Sequence, residues 1–335
     1  MSSEMPQTTR ADGSATLIPT GSARRVPELS LRSYSEGTAE QKAQFSRELY
    51  TGFLEYGFVI LKDHPVQAAL LQKCYSLLEK FFALPTEAKR KYISKQGGGQ
   101  RGYTPFGEEH AKDSPVMDLK EFWHVGRELT PGHEMSGIYP ENIWPTEIPE
   151  FKPTFLEVFE KLEKAGDVML EALTGPLQLP APFFDKMVHN GNSILRLLHY
   201  PPIPEGVDPR CIRAAAHEDI NFITLLPAAT TSGLQLRDRD GQWLDVGGDP
   251  GDLIVDSGDM LSRLTNEVIP STTHRVINPA NSANVSRYSM PFFMHPRSEV
   301  LLQCLPSCRG AGEKFADITA GDFLMQRLRE IGLIK

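Results

Sequence analysis

The spacing of apolar positions changes twice along the chain. Between Thr38 and Gly57, Phe45, Leu49 and Phe53 recur every four residues, which predicts a helix with one buried face, and Thr38 with Gln41 has capping-box spacing at its start. Phe58-Val59-Ile60-Leu61 is a short unbroken apolar run ahead of Lys62-Asp63-His64-Pro65, the pattern of a buried strand and a turn. Leu70, Leu71, Cys74, Leu77, Leu78 and Phe81 form the stripe of a second helix that ends before Pro85. A third helix is predicted over roughly 151–173, from the spacing of Phe155, Phe159, Leu162, Met169 and Leu173.

From Ser193 to about Val300 the period shortens. Short runs of Ile, Leu and Val alternate with Pro201-Pro202, Asp240-Gly241, Gly247-Gly248, Gly251 and Asn278-Pro279, which predicts an antiparallel β unit, either sandwich or barrel. An amphipathic helix from Thr319 to Ile331 closes the chain, and no internal repeat is present. The expected organisation is a disordered leader over 1–26, a helical N-terminal region over 27–190, the β core over 191–300 and a helical segment over 301–335. Residues 94–115 read as a loop. Their Gly97-Gly98-Gly99-Gln100-Arg101-Gly102 matches GxGxxG in form, but Pro105 and Gly107 follow where a dinucleotide site needs a helix.

Composition narrows the function. With 35 basic and 43 acidic side chains the net charge is −8, and Lys and Arg alternate with Asp and Glu, so no cationic field for nucleic acid is expected. No run of 18 apolar residues and no signal peptide is found, so no membrane partner is expected either. Cys74, Cys211, Cys304 and Cys308 are scattered without a CxxC, against a disulfide framework or zinc ribbon and in keeping with a reducing cytoplasm.

The candidate chemistry begins at His217-Glu218-Asp219. A strand from Ala214 to Leu226 would set His217 and Asp219 on one face and Glu218 on the other. His274, at the head of His274-Arg275-Val276-Ile277, would add a second imidazole. Two imidazoles and a carboxylate form a facial triad suited to non-haem Fe(II). In a chain with nine histidines the pattern alone also fits a surface His beside an Asp. Arg287-Tyr288-Ser289 adds weight, because Arg287 and Ser289 would share a strand face, where a guanidinium fork and a hydroxyl can meet one carboxylate. Arg287 by itself reads equally as a strand arginine paired with a nearby Asp.

The combination of HxD, a distant His and RxS resembles the isopenicillin N synthase-like branch of the 2-oxoglutarate- and Fe(II)-dependent dioxygenases. The resemblance extends to Glu55-Tyr56-Gly57-Phe58-Val59-Ile60, Arg101-Gly102-Tyr103, Leu195-Arg196-Leu197-Leu198-His199-Tyr200-Pro201, Gly233-Leu234-Gln235 and Gly258-Asp259. It implies a mainly β fold with flanking α, a double-stranded β-helix (jelly roll) with helices packed outside. It also implies Fe(II) on His217, Asp219 and His274, and 2-oxoglutarate with its distal carboxylate on Arg287, Ser289 and Tyr200. The implied reaction uses O2 to hydroxylate or desaturate a small organic substrate, releasing succinate and CO2. Arg101, Tyr103, Phe122, Trp123 and Phe293 would line the substrate, each equally readable as packing.

Two departures stand out. The family's Asn before the Tyr-Tyr-Pro segment is absent, which leaves His199 as an unexplained polar group, and Pro279-Ala280-Asn281-Ser282-Ala283-Asn284 lengthens the interval from His274 to Arg287. Three other readings compete. An Fe(II) oxidase that does not use 2-oxoglutarate would keep the same residues, with Arg287 and Ser289 on the substrate. A non-catalytic jelly-roll binding module would not need an intact triad. A hydrolase lacks support, since GxSxG and HExxH are both absent. Cys304 and Cys308 read as structural, and His64, His124, His133, His189 and His295 as loop or surface residues.

Overall fold

The computed structural model describes residues 24–94, 99–110, 115–279 and 284–330. The chain starts with β1 (Glu28–Ser30), α1 (Leu31–Ser35), α2 (Ala39–Tyr56) and β2 (Phe58–Lys62), with β1 and β2 paired in parallel. The Thr38 hydroxyl accepts from the Gln41 amide and the Gln41 side chain accepts from the Thr38 amide, so the expected capping box starts α2. The helix ends at Gly57, in the left-handed region at φ +66°, whose amide donates to the Phe53 carbonyl. This turn sends the chain straight into β2.

Next come α3 (Ala68–Phe82), α4 (Thr86–Arg90), β3 (Gly102–Thr104), β4 (Glu121–Gly126), α5 (Phe151–Thr174), α6 (Asp185–Val188) and β5 (Ile194–Tyr200). The second half contributes β6 (Ala214–His217), β7 (Ile223–Pro227), β8 (Leu234–Arg237), β9 (Trp243–Asp245), β10 (Leu253–Ser257), α7 (Asp259–Leu264) and β11 (His274–Val276). The chain finishes with β12 (Arg287–Ser289), β13 (Phe292–Met294), β14 (Leu301–Leu302), β15 (Ile318–Thr319) and α8 (Ala320–Glu330).

Apart from the separate β14–β15 pair, the strands form two facing sheets. The larger runs β1-β2-β10-β7-β13-β5-β4-β3, with β12 also on β5, and the smaller runs β6-β11-β8-β9. Apolar side chains on one face of the large sheet pack against α2, α3 and α5 in the main core, which includes Phe81, Trp123, Phe155 and Phe292. Its other face meets the small sheet around Phe122, Leu198, Tyr200, Leu226, Leu236 and Val276. This is the jelly roll, with the helices outside.

Four features differ from the sequence reading. Besides the strand expected at Phe58–Leu61, which is β2, the region read as helical supplies β1, β3 and β4 to the large sheet, and β3 lies inside the expected loop. β3 is three residues long, too short to show alternation, and β4 is buried on both faces with Glu121 and His124 among its residues, which hides its period. The single strand expected from Ala214 to Leu226 is two strands in different sheets, with Glu218–Phe222 crossing between them. Of the expected leader, residues 1–23 lie outside the described residues, while Arg24 pairs with Asp238 and Asp240 and Val26 is buried in the inner cluster. The segment after 300 contains the β14–β15 pair as well as its helix.

His199 now has a place. It points from β5 away from the barrel interior, with Nδ1 on Glu121 and Nε2 on the Ser286 hydroxyl, and its ring stacks on Tyr288 at 4.8 Å. Glu121 also accepts from Lys89 and from the Tyr103 hydroxyl, so one buried carboxylate ties α4, β3, β4 and β5 together. Among the described residues no helix is long and apolar enough to cross a membrane.

Gly57 generates a stability prediction. A Cβ there would stand 2.1 Å from the Thr272 hydroxyl oxygen, on a backbone that already disfavours L side chains. Gly57→Ala is expected to lower unfolding stability by about 2–4 kcal/mol, the combined cost of left-handed strain and overpacking. Urea unfolding followed by circular dichroism measures it, and an unchanged midpoint would contradict the packing described.

Candidate active site

β6 ends on His217 and β11 begins on His274, and the two residues are direct partners across the strand pair. His217 Nδ1 lies 2.7 Å from the Ala215 carbonyl and His274 Nδ1 lies 3.1 Å from the Thr272 carbonyl. A carbonyl only accepts, so both Nδ1 atoms carry the proton and each ring turns its Nε2 towards Asp219. Those Nε2 atoms stand 3.9 Å and 3.8 Å from Asp219 Oδ1, and the three donor atoms all fall within 4.8 Å of one another. Burial, then the neighbouring His274, push the His217 pKa down to about 4, so its ring is neutral at physiological pH. Burial alone would raise Asp219, but the imidazoles of His274 and His217 and a hydrogen bond from Thr224 outweigh it and keep the carboxylate below its usual range.

Asp219 is not aimed by strand alternation, because β6 stops at His217. It sits in the crossing segment, whose carbonyls are held by the start of α7: Asp259 N donates to the Asp219 carbonyl at 2.7 Å and Met260 N to the Asn221 carbonyl at 3.0 Å. Glu218 accepts from the Thr273 hydroxyl and is outside the cluster. Asp256 on β10, in register with Thr224, is buried beside Asp219, and burial plus that neighbour's charge push its carboxyl well above the carboxylate range.

Arg287 and Ser289 lie opposite Tyr200 and Leu198 on β5 and face the same cavity as the triad. Arg287 is 2% exposed, its Nε donates to the Thr231 carbonyl at 3.1 Å, and its guanidinium lies 5.1 Å from the Tyr200 ring centre. Its Nη1 is buried without a partner. A buried donor on a cation left unbonded is costly, so this cavity fits a ligand carboxylate, as the triad fits a divalent cation.

Charged residues beyond the predicted set complete the cavity. Arg196 grips Glu109 with two nitrogens at 3.0 and 3.2 Å, Lys120 reaches Glu109 at 2.7 Å and Asp118 at 2.8 Å, and Asp118 accepts the Ala215 amide at 3.0 Å. Burial would raise Glu109, but Arg196 and Lys120 override it and hold the carboxyl well below the usual range. Sequence reasoning missed Glu109, Asp118, Lys120 and Asp256. The charges at Asp118 and Lys120 beside the apolar Phe122-Trp123 are the one signal that could have drawn attention to this stretch.

The predicted substrate residues divide between the two faces of the sheet. Phe293 lines the cavity, and Phe122 lies behind it under the Arg196 guanidinium at 4.3 Å. Tyr103 and Trp123 point the other way into the helical core against Phe81, because they occupy odd positions of the paired strands β3 and β4. His124 and His295, expected at the surface, are buried: His124 Nε2 accepts from Arg196 Nε at 2.7 Å. His64 is half-buried on the Gly251 carbonyl.

Comparison with known proteins agrees with this geometry. Residues 26–147 match the family model described as non-haem dioxygenase in morphine synthesis N-terminal, and residues 191–296 match that of the 2OG-Fe(II) oxygenase superfamily. A 2-oxoglutarate-Fe(II) type oxidoreductase of Emericella nidulans is 32% identical over 279 residues, covering 80% of this chain and 79% of the relative. A 2OG-Fe(II) oxygenase family protein from Caulobacter crescentus superposes with a TM-score of 0.81 at 45% identity, covering 91% of this chain and 98% of that one. A full-length Neurospora crassa protein, solved in complex with alpha-KG, superposes with a TM-score of 0.80 at 31% identity, covering 90% of this chain and 95% of that one. Matched by both family models and by relatives along most of its length, the chain belongs to the isopenicillin N synthase-like 2OG-Fe(II) oxygenase superfamily and is a 2-oxoglutarate- and Fe(II)-dependent dioxygenase of a small organic substrate.

Proposed function

We propose that His217, Asp219 and His274 hold the Fe(II), that Arg287, Ser289 and Tyr200 hold the distal carboxylate of 2-oxoglutarate, and that the substrate binds beside Phe293 to be hydroxylated or desaturated. The observation that carries this reading is the pairing of the two ends of one cavity. At one end two imidazoles of fixed tautomer and an ionised carboxylate converge, and at the other a buried guanidinium keeps a donor free. Bound Fe(II) with O2 would supply the oxidising chemistry, in which 2-oxoglutarate becomes succinate and CO2 with one oxygen atom while the other either enters the substrate as a hydroxyl or leaves as water with two hydrogens of the substrate.

The chain's own residues orient and shield. The carbonyls of Ala215 and Thr272 fix the rings of His217 and His274, so no reorientation is needed when a cation enters. Thr224 fixes the second oxygen of Asp219. Leu198, Leu226, Leu234 and Val276 line the cavity between its two ends and keep water from it. The similarity to the Neurospora crassa protein, solved with alpha-KG, supports 2-oxoglutarate over an oxidase that dispenses with it. Cys74, Cys211, Cys304 and Cys308 are buried free thiols, which supports a reducing compartment such as the cytoplasm.

The metal ligands can be tested by substitution. His217→Ala and Asp219→Ala are expected to lose bound iron and turnover while retaining a folded jelly roll, because the apolar core and not the cation carries the fold. Glu218→Ala is expected to keep its iron. Iron content after gel filtration, with circular dichroism on the same samples, decides it, and iron loss in Glu218→Ala equal to that in Asp219→Ala would move the site.

Arg287→Lys keeps the charge but not the planar fork, so 2-oxoglutarate binding is expected to weaken about 10- to 100-fold. Anaerobic calorimetric titration of the Fe(II) protein with 2-oxoglutarate measures it. Unchanged affinity would assign Arg287 and Ser289 to the substrate instead.

A further inference from the structure

Arg101 is a buried cation that no acidic group among the described residues neutralises. It is 1% exposed, its Nη1 donates to the Gln100 carbonyl at 2.8 Å, and its Nε and Nη2 are buried with no partner. Burial lowers its pKa to about 10, which leaves it charged at physiological pH. The neighbouring cations, half-buried Arg196 and buried Lys120, are paired: both reach Glu109, and Lys120 also reaches Asp118.

Its position follows from the sheet. Phe122, His124 and Gly126 alternate along β4 towards the barrel interior, and Gly126 pairs with Ile194, two residues before Arg196 on β5. A Cβ on Gly126 would stand 1.9 Å from Arg101 Cζ, so the guanidinium lies flat on that glycine, on the interior face. The left-handed turn at Gly102, φ +71°, breaks alternation with Tyr103, which points the other way.

Phe293 pairs with the same Ile194. Continuing that register by two residues sets Asn192 opposite His295, and the Asn192 amide donates to the Pro296 carbonyl at 3.3 Å. Asn192 Oδ1 and His295 Nδ1 are also buried without partners, each residue 6% exposed. From Arg287 and Tyr200 the strands thus run past the triad at Phe293 and Thr224 to a second group of unbonded polar atoms at the opposite end.

We propose that the substrate is a small organic acid whose carboxylate is held by Arg101 on the far side of the metal site from 2-oxoglutarate, with His295 Nδ1, in its Nδ1–H tautomer, as a further donor to it and Asn192 Oδ1 accepting from a donor group elsewhere on the substrate. This rests on the assignment of the two cavity ends made above. A bidentate guanidinium fork is the donor geometry that a carboxylate matches, and Gly126 is the residue that leaves room for it.

The test uses anaerobic Fe(II) protein saturated with 2-oxoglutarate, which blocks Arg287, titrated calorimetrically with acetate and benzoate against acetamide, benzamide and thymine. Carboxylates are expected to bind and to raise the melting temperature, and the neutral probes are not. Arg101→Met is expected to weaken benzoate binding about 10- to 100-fold, to leave 2-oxoglutarate affinity within about twofold, and to melt no lower than the parent, because it removes an unpaired buried charge. Gly126→Ala keeps the charge but displaces the fork, and is expected to lose benzoate binding likewise.

Equal binding of benzoate and benzamide, binding of thymine alone, no carboxylate binding at all, or benzoate affinity unchanged in Arg101→Met would each overturn the proposal. So would a large fall in melting temperature in Arg101→Met that Arg101→Lys restores, since that marks a structural arginine. If 2-oxoglutarate itself fails to bind the iron-loaded protein, the earlier assignment fails, while the Arg101 dependence of benzoate binding is still read from the same titration.

Discussion

The carboxylate of Glu109 stands between the cations of Arg196 and Lys120, and the interior of the barrel is arranged around that contact. Ionised groups cut off from water are tolerated when paired, and removal of one partner leaves the others uncompensated. Here the pairing extends from Arg196 through Glu109 and Lys120 to Asp118, whose other oxygen accepts the Ala215 amide. Ala215 in turn holds Nδ1 of His217. A chain of paired charges therefore runs from β5 to the strand that carries the first imidazole, and the cavity keeps its shape because its walls are electrically closed.

Against this background the unpaired groups stand out. Arg287 and Arg101 carry charge in the same interior and keep donors without partners, at opposite ends of the line of strands that passes the triad. Burial lowers the pKa of both. Arg196 and Lys120 are paired while Arg287 and Arg101, like Arg213, keep a buried donor open, and at Arg287 and Arg101 a ligand carboxylate can offset that cost.

The carboxyls near His217 and His274 are sorted by the same physics. Two imidazoles and the Thr224 hydroxyl face Asp219 and hold its carboxyl below its ordinary value, whereas Asp256, buried and facing Asp219, is pushed well above its own. On the far side of β5, Glu121 is kept below the usual carboxylate range despite its burial by hydrogen bonds from His199, Lys89 and Tyr103. Position in the sheet, rather than residue type, decides which carboxyl carries charge.

Local pattern was enough to read α2, α3 and α5 from their apolar spacing, the capping box at Thr38, and the β texture after Ser193, because periods of 3.6 and 2 are properties of adjacent residues. The triad and the Arg287 and Ser289 pair were legible too, as His, Asp and Arg at inward positions have few bland explanations in combination. The sequence alone did not show that Asp219 is aimed by the start of α7 and not by strand alternation, that Tyr103 and Trp123 face the helices, or that His199 belongs to the Glu121 network. Nor did it show that His124 and His295 are buried, or that Arg101 lacks the partners Arg196 has. Each of these depends on residues tens to more than a hundred positions apart being brought into register. Burial and pairing are properties of neighbours in space, and only the closed barrel determines those neighbours.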